Sequence, residues 1–326
     1  MDNNNIVKNV SFMKTLLKKP TILQMGVGLF FSISKSFFNK KKKVEIQQWI
    51  GKYKLVSEVK KENLFREYLM GIYEHRGEKV FTKTWTGFVR DFQYYELINE
   101  YFMTKELYKK FGSHKYIKIP KIISYESKAG SFSIIYEFID GKNLLAFPRK
   151  KQVDTIRNIL NAFDSLSSKY TKVNGGYLSK RTLKFYILSL TFLSILNILS
   201  NPRSFKVVLR GYIEFIKNMR LVKKNKLIVA HRDLSLHNII VKGRYIFLID
   251  CARVTLTYGG YDIAYILTNP KLKKISKEIV KGSNYAGNVF LENYILINQA
   301  RSFGDPTGLK NTYLEKLHKK YGKTHI

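Results

Sequence analysis

Cysteine is all but missing from this chain. The single one, Cys251, excludes an intramolecular disulfide framework and a cysteine-rich zinc site, and it fits a reducing compartment. Proline is scarce as well; six in 326 residues exclude a Pro-rich linker protein. Acidic side chains are few. Against 58 Lys and Arg stand only 24 Asp and Glu, a formal charge of +34. Such a chain is expected to seek polyanions, such as an acidic membrane surface, a phosphorylated glycolipid or nucleic acid, and to disfavour a strongly cationic substrate. What is abundant is apolar matter. Apolar residues make up 45% and aromatics 14%, too much for a disordered polymer. The length allows one large domain or two moderate ones.

A convincing signal-peptide pattern is missing too. The run TILQMGVGLFFSISKSFF, residues 21–38, lies between lysines, contains Lys35 and is too short and interrupted to span a bilayer comfortably. It reads as a helix packed on the domain or as an interfacial helix flanked by lysines. A second run, LKFYILSLTFLSILNILS at 183–200, is more apolar and ends at Asn201-Pro202.

Between these runs, YKLVSEVKK, EYLMGIYEH and KVFTKTW read as strands, with a turn at Arg76-Gly77-Glu78. Residues 90–111 read as a helix. KIPKIISYES and SFSIIYEFI read as two more strands around Lys128-Ala129-Gly130. From about 150 to 225 the pattern is mostly helical. KLIVAHRD to RYIFLID is strand-rich again, and more helix follows. Strands with one helix, then a larger helical part, predict two lobes joined near Asp140-Gly141.

The chemistry is concentrated in LIVAHRDLSLHNIIVKGRYIFLIDCARVTLTYGGYDIAYIL, residues 227–267. An apolar strand delivers His231, Arg232 and Asp233 into a loop, and Asn238 follows five residues after Asp233. A hairpin at Lys242-Gly243-Arg244 then delivers Asp250. Hard cations such as Mg²⁺ take carboxylate and amide oxygen. Asn238 and Asp250 could share such ions with a nucleotide, leaving Asp233 to orient a hydroxyl and accept its proton. Upstream, Lys83 lies inside a strand between Phe81 and Trp85 on alternate positions. An inward lysine there needs an anion, and a phosphate together with a helix carboxylate would supply it. Glu96 and Glu100 lie one helical turn apart, so either could reach it.

These residues together resemble the protein-kinase-like phosphotransferase superfamily. HRDLSLHN is similar to its catalytic loop, with Asp233 and Asn238 at the expected offset, and IDCARV stands where the superfamily places its metal-binding aspartate, Asp250. The resemblance covers roughly residues 50–270. It implies an α+β bilobal fold with a small β-rich N-lobe and a larger, mainly helical C-lobe. It also implies ATP and Mg²⁺ as cofactors, Glu100 rather than Glu96 as the partner of Lys83, and a hinge in YEFIDGKNL. Backbone groups at Glu137, Phe138 and Ile139 would there meet the adenine edge. The expected division is a basic extension at 1–50, an N-lobe at 51–140 and a C-lobe at 141–326. Asp262 looks like the aspartate that braces the catalytic loop, although a helix N-cap would look the same. His231 is expected to anchor the loop through its ring, and Arg232 to make a local backbone or carboxylate contact. No GxGxxG precedes Lys83, so a phosphate clamp is expected from the backbone around residues 57–70 instead.

Ser235 stands where kinases of Ser and Thr usually carry lysine, and only twelve steps separate Asp250 from Asp262, too few for a peptide platform. This compact pattern, with Arg253 three after Asp250, is similar to aminoglycoside-phosphotransferase-like enzymes and to kinases of lipopolysaccharide core sugars. The positive charge favours a saccharide or glycolipid acceptor, with an anionic membrane surface as a further partner. Nucleic acid is less expected, though charge alone does not exclude it. An atypical Ser/Thr protein kinase and a non-catalytic scaffold are the alternatives. The expected location is cytoplasmic, with peripheral attachment to the membrane's cytoplasmic face as an option. A membrane crossing at 183–200 would put the two halves of one active site on opposite sides, so that run is expected as a core helix or a surface helix dipping into lipid.

Overall fold

The computed structural model describes residues 20–21, 24, 27–28, 45–59, 68–87, 89–170, 179–200, 202–219, 226–281, 289–299 and 309–321. Most of the apolar run at 21–38, most of the basic extension and much of the expected phosphate clamp lie outside the described residues. The chain divides into two compact units. The first comprises the described residues up to Ser113 together with Ile119–Asp140 and Asp250–Ala252. The second comprises His114–Lys118, Gly141–Ile249 and the chain from Arg253 onward.

The first unit is a six-stranded sheet with one long helix. Its strands are β1 (Trp49–Ile50), β2 (Tyr53–Glu58), β3 (Tyr68–His75), β4 (Glu78–Thr86), β6 (Ile122–Lys128) and β7 (Ser131–Glu137), in the order β1-β2-β3-β4-β7-β6. Every neighbouring pair is antiparallel. Arg76 and Gly77, at φ 51° and 82°, make the left-handed turn that suits a two-residue hairpin between β3 and β4. Helix α1 (Phe92–Phe111) begins at Asp91, whose carboxylate accepts the N–H of Tyr94 and the indole N–H of Trp85. Tyr94, Leu97, Ile98 and Tyr101 of α1 pack with Met70, Trp85, Phe132 and Ile134 of the sheet. The α1 face of the sheet is therefore fixed by alternate residues of β4, and Lys83 lies between Phe81 and Trp85 in that alternation.

The second unit is mainly helical. Its helices among the described residues include α2 (Arg149–Tyr170), α3 (Leu183–Ser200), α4 (Phe205–Lys217), α5 (Tyr261–Thr268), α6 (Lys273–Lys281), α7 (Val289–Gln299) and α8 (Leu309–Tyr321). Two small sheets carry the loops between them. One has the order β5-β11-β10-β8, from β5 (Ile117–Lys118), β8 (Lys142–Asn143), β10 (Ile239–Lys242) and β11 (Tyr245–Leu248). The other pairs β9 (Leu227–Ala230) with β12 (Thr255–Tyr258). Helix α7 lies under both α3 and α4: Phe290 stacks on Phe215 at 4.0 Å, and Tyr294 meets Tyr186 edge-on at 4.7 Å. The architecture is the expected α+β combination of a β-rich part and a larger helical part. Run 183–200 is the helix α3, and among the described residues no helix is long and apolar enough to cross a membrane.

Candidate active site

In the first unit the site grows from one register. Lys83 pairs across β4 with Met70 on one side and Ile134 on the other, which turns its side chain toward α1. There it is buried, and its Nζ donates to Glu100 Oε2 at 2.5 Å and to Asp250 Oδ1 at 3.2 Å. It also lies 4.7 Å from the centre of the Tyr68 ring. Tyr136 donates its hydroxyl to the other Glu100 oxygen at 3.0 Å. Burial pushes the Glu100 carboxyl above its usual range, with the Lys83 ammonium opposing. Glu96, one turn earlier, accepts from the Tyr68 hydroxyl instead. The ion pair therefore falls to Glu100.

Asp250 reaches this group from a strained backbone. Its φ is 59°, a left-handed value that few non-glycine residues adopt, and Arg232 shares that property at 66°. Such outliers need surroundings that over-determine them. For Asp250 the surroundings include Asn99 of α1, which donates to the carbonyl of Ala252 at 2.5 Å. Cys251 between them is buried, and burial pushes its thiol far up, Glu100 and Asp250 adding to the effect. It is a small core residue. At the end of β7, the Glu137 N–H donates to the Lys121 carbonyl, and its carboxylate accepts the Lys121 N–H at 2.7 Å. That N–H is committed to the sheet, so any adenine donor falls to Phe138 or Ile139, which follow the strand half-buried.

In the second unit, β9 runs straight into the loop of Asp233. The buried carboxylate of Asp262 in α5 accepts the backbone N–H groups of His231 and Arg232, both at 2.8 Å. Asp262 is not the N-cap of α5; Gly260 holds that place, at φ 88°. The bracing role is the one the side chain performs. Burial raises the Asp262 carboxyl above the ordinary aspartate range, with His231 and the two N–H donors opposing. The His231 ring does not anchor the loop by hydrogen bonding. Both ring nitrogens are buried without a hydrogen bond, and the ring packs edge-on to Phe163, so the anchor is its backbone N–H. Arg232 donates to the carbonyl of Arg253 and lies over the Tyr261 ring, a local backbone contact.

Asp233 is partly exposed. Tyr265 donates to its Oδ1 at 2.8 Å, and an Arg253 guanidinium nitrogen lies 3.9 Å from its Oδ2. Nothing in the sequence singled out Tyr265, which is thirty-two residues away and reaches Asp233 only through the fold of α5. Asn238 donates its amide nitrogen to the carbonyl of Asp233 at 2.9 Å, and the Ile249 N–H donates to the Asn238 carbonyl. With its nitrogen so used, the Asn238 amide oxygen is the end left for a hard cation. Asn238 and Asp250 thus have the oxygen donors that Mg²⁺ prefers. Between Asp250 and Asp262 the chain forms only a short 3₁₀ turn and β12, which pairs with β9.

No family sequence model and no curated protein matches the chain in sequence. Solved structures do match in fold. A thermostable variant of the aminoglycoside phosphotransferase APH(4)-Ia, in ternary complex with AMP-PNP and hygromycin B, aligns with a TM-score of 0.61 at 11% identity, over 83% of this chain and 96% of that one. The chain has a protein-kinase-like fold. A microcompartment-associated aminopropanol kinase shares that fold at TM-score 0.54 and 12% identity, over 81% and 89% of the two chains. So does a choline kinase from Cryptosporidium parvum Iowa II, at 0.52 and 13%, over 83% and 90%. In this fold Lys83, Glu100 and Asp250 come together in the first unit, while Asp233, Asn238 and their supports belong to the second.

Proposed function

We propose that the protein is a kinase that transfers the γ-phosphoryl group of ATP to a hydroxyl of an anionic saccharide or glycolipid, such as a lipopolysaccharide-core sugar. The observation that carries this reading is the buried Lys83 ammonium held between Glu100 and Asp250. A core has no packing need for one lysine and two carboxylates, and the cost of desolvating such a group is a reason to look for a function that retains it. Residues 51–140 serve as the nucleotide lobe and 141–326 as the catalytic lobe, with 1–50 a basic extension. Lys83, fixed by Glu100, holds the phosphates, and the adenine edge meets the backbone at Phe138 and Ile139, with Glu137 contributing its carbonyl. Asn238 and Asp250 would hold Mg²⁺, which when bound offsets the charge that develops on the phosphoryl oxygens.

The acceptor hydroxyl is oriented by Asp233. Its oxygen forms the new bond to the γ-phosphorus as the bond to the bridging oxygen of ADP breaks, and Asp233 takes the proton. Tyr265 fixes the carboxylate for that task. The choice of an anionic acceptor rests on charge. Arg253 stands beside Asp233, and Arg232 and Arg181 carry guanidinium groups with no ion pair to a carboxylate among the described residues. Burial and the neighbouring Arg232 push Arg181 down to about 10, so it stays charged at neutral pH. The net charge of +34 argues the same way against polycations.

Incubating the protein with γ-labelled ATP and a lysate split into saccharide, glycolipid and protein fractions tests the reading. Label in the saccharide or glycolipid fraction is expected. Label on protein would instead make the chain an atypical protein kinase, and label in none would leave a scaffold.

A further inference from the structure

Half of the exposed large hydrophobic residues among those described fall on two consecutive helices of the second unit. On α3 they are Leu188, Phe192, Ile195 and Leu199, between 48% and 71% exposed. Their spacing of four, three and four places them on one face. The opposite face, with Tyr186, Leu190, Leu193 and Asn197, is buried. On α4 the exposed set is Phe205, Leu209, Ile213 and Ile216, again on one face, with Val207, Val208, Gly211 and Phe215 buried behind. Both buried faces rest on α7. Asn197 of α3 donates to the Ile297 carbonyl, and Phe215 of α4 stacks on Phe290. Thr191 and Tyr212 join the two helices by a hydroxyl hydrogen bond of 2.9 Å. The two apolar stripes therefore face away from the same underlying helix, on the same side of it.

Single exposed apolar residues are ordinary, but eight aligned on adjoining helices are a binding surface. Their rim is basic. Residues 183–217 hold five Lys and Arg against one acid, Glu214, which pairs with Lys217. Lys184, Arg203 and Lys206 remain exposed. Basic α8 packs against α4, where Arg210 donates to the Tyr321 carbonyl. Two copies of this face would bring like charges together on chains that each carry +34. An anionic bilayer supplies the opposite sign, and basic side chains near such a surface contribute about 1 kcal/mol each.

We propose that the α3–α4 face is a membrane-docking surface, which lies on an anionic lipid bilayer with its apolar stripes among the acyl chains and its basic rim among the headgroups. No described helix is fit to cross, so the helices lie on the membrane. The proposal deepens the acceptor reading by placing the enzyme where a glycolipid resides. Its test reads lipid binding and not phosphoryl transfer, so either can fail alone.

The full chain is sedimented with vesicles of phosphatidylcholine and phosphatidylglycerol, and with vesicles of phosphatidylcholine alone. Binding is expected only to the anionic vesicles. The double variant Leu188→Glu/Phe192→Glu is expected to lower the partition coefficient on the order of tenfold or more, since two apolar side chains leave the lipid. Circular dichroism and a thermal melt check its fold. Independently, Leu199→Trp keeps the surface apolar, and lipids brominated on their acyl chains are expected to quench its fluorescence beyond that of the parent, whose two tryptophans are Trp49 and Trp85. Absent binding by the parent, equal binding by the folded double variant, or no added quenching would each overturn the proposal. A parent dimer that the double variant dissolves would do so too, because a second copy would then be the occupant.

Discussion

Lys83 carries a hydrogen bond to each of two carboxylates, Glu100 and Asp250. The bond to Glu100 is buried and backed by Tyr136, so Glu100→Gln should leave the ammonium less firmly fixed. We expect a raised KM for ATP with a smaller change in kcat, read by steady-state kinetics. Asp233 should behave in the opposite way. Asp233→Asn keeps the shape but cannot take a proton, so kcat should fall by about 10²–10⁴-fold with ATP affinity preserved. Tyr265→Phe removes only the hydroxyl that fixes Asp233, and a smaller loss confined to kcat is expected. At this scale the closeness of Asp233 and Asn238 was legible because HRDLSLHN is local, its offsets set by a single turn of chain. The choice between Glu96 and Glu100 was not legible from the residues themselves, since both point the same way from α1. It is decided by Tyr68 on β3, which takes Glu96. His231 misled for a related reason: a histidine in a loop invites a role for its ring, and sequence says nothing of backbone N–H groups.

Elements hold the loop of His231 to Asp233 by one buried carboxylate. Asp262 satisfies two backbone donors at once, and each buried N–H left unpaired costs about 1–3 kcal/mol. Asp262→Ala should therefore lose about 2–5 kcal/mol of unfolding free energy in a denaturant titration, with activity falling as the loop loosens. The same burial makes the site pH-sensitive. The folded Asp262 carboxyl titrates above its unfolded value, so between the two the folded state binds more protons. Its contribution to stability is present below the unfolded value and declines as pH rises through the folded one. Asp262→Asn should flatten that part of the stability profile, which urea unfolding across the acid range would reveal. The strands of the first unit and α1 were legible, because alternation and capping are local signals; Asp91 and the Arg76-Gly77 turn mark the element ends. The α3 helix was legible as an apolar helix but not as a two-faced one. Its exposed residues are as apolar as its buried ones, so the pattern carries no polar stripe to mark the outer side.

Across the whole molecule, charge and fold have to be read together. The matching folds belong to proteins described with aminoglycoside, aminopropanol and choline substrates or names, none of them anionic. This chain carries +34, so a polycationic aminoglycoside is expected to be a poor acceptor, with turnover rising as salt screens the repulsion. A coupled ADP-release assay at two ionic strengths checks this. The bilobal composition was legible from the order of strand-like and helical segments. The apportioning of Asp250–Ala252 to the strand-rich unit was not, because three residues of the short connection between β11 and β12 join it through Lys83 and Asn99. Such long-range pairing leaves no mark on neighbouring residues.

The most direct measurement is calorimetric titration of the protein with a non-hydrolysable ATP analogue, with and without Mg²⁺, for the parent and for Asp250→Ala. Saturable binding by the parent that Mg²⁺ strengthens, and that Asp250→Ala reduces to a Mg²⁺-independent remnant, is the expected result. Failure of the parent to bind nucleotide, or identical Mg²⁺-dependent binding by a folded Asp250→Ala protein, would contradict the assignment of Lys83, Glu100 and Asp250 to a phosphoryl-transfer site.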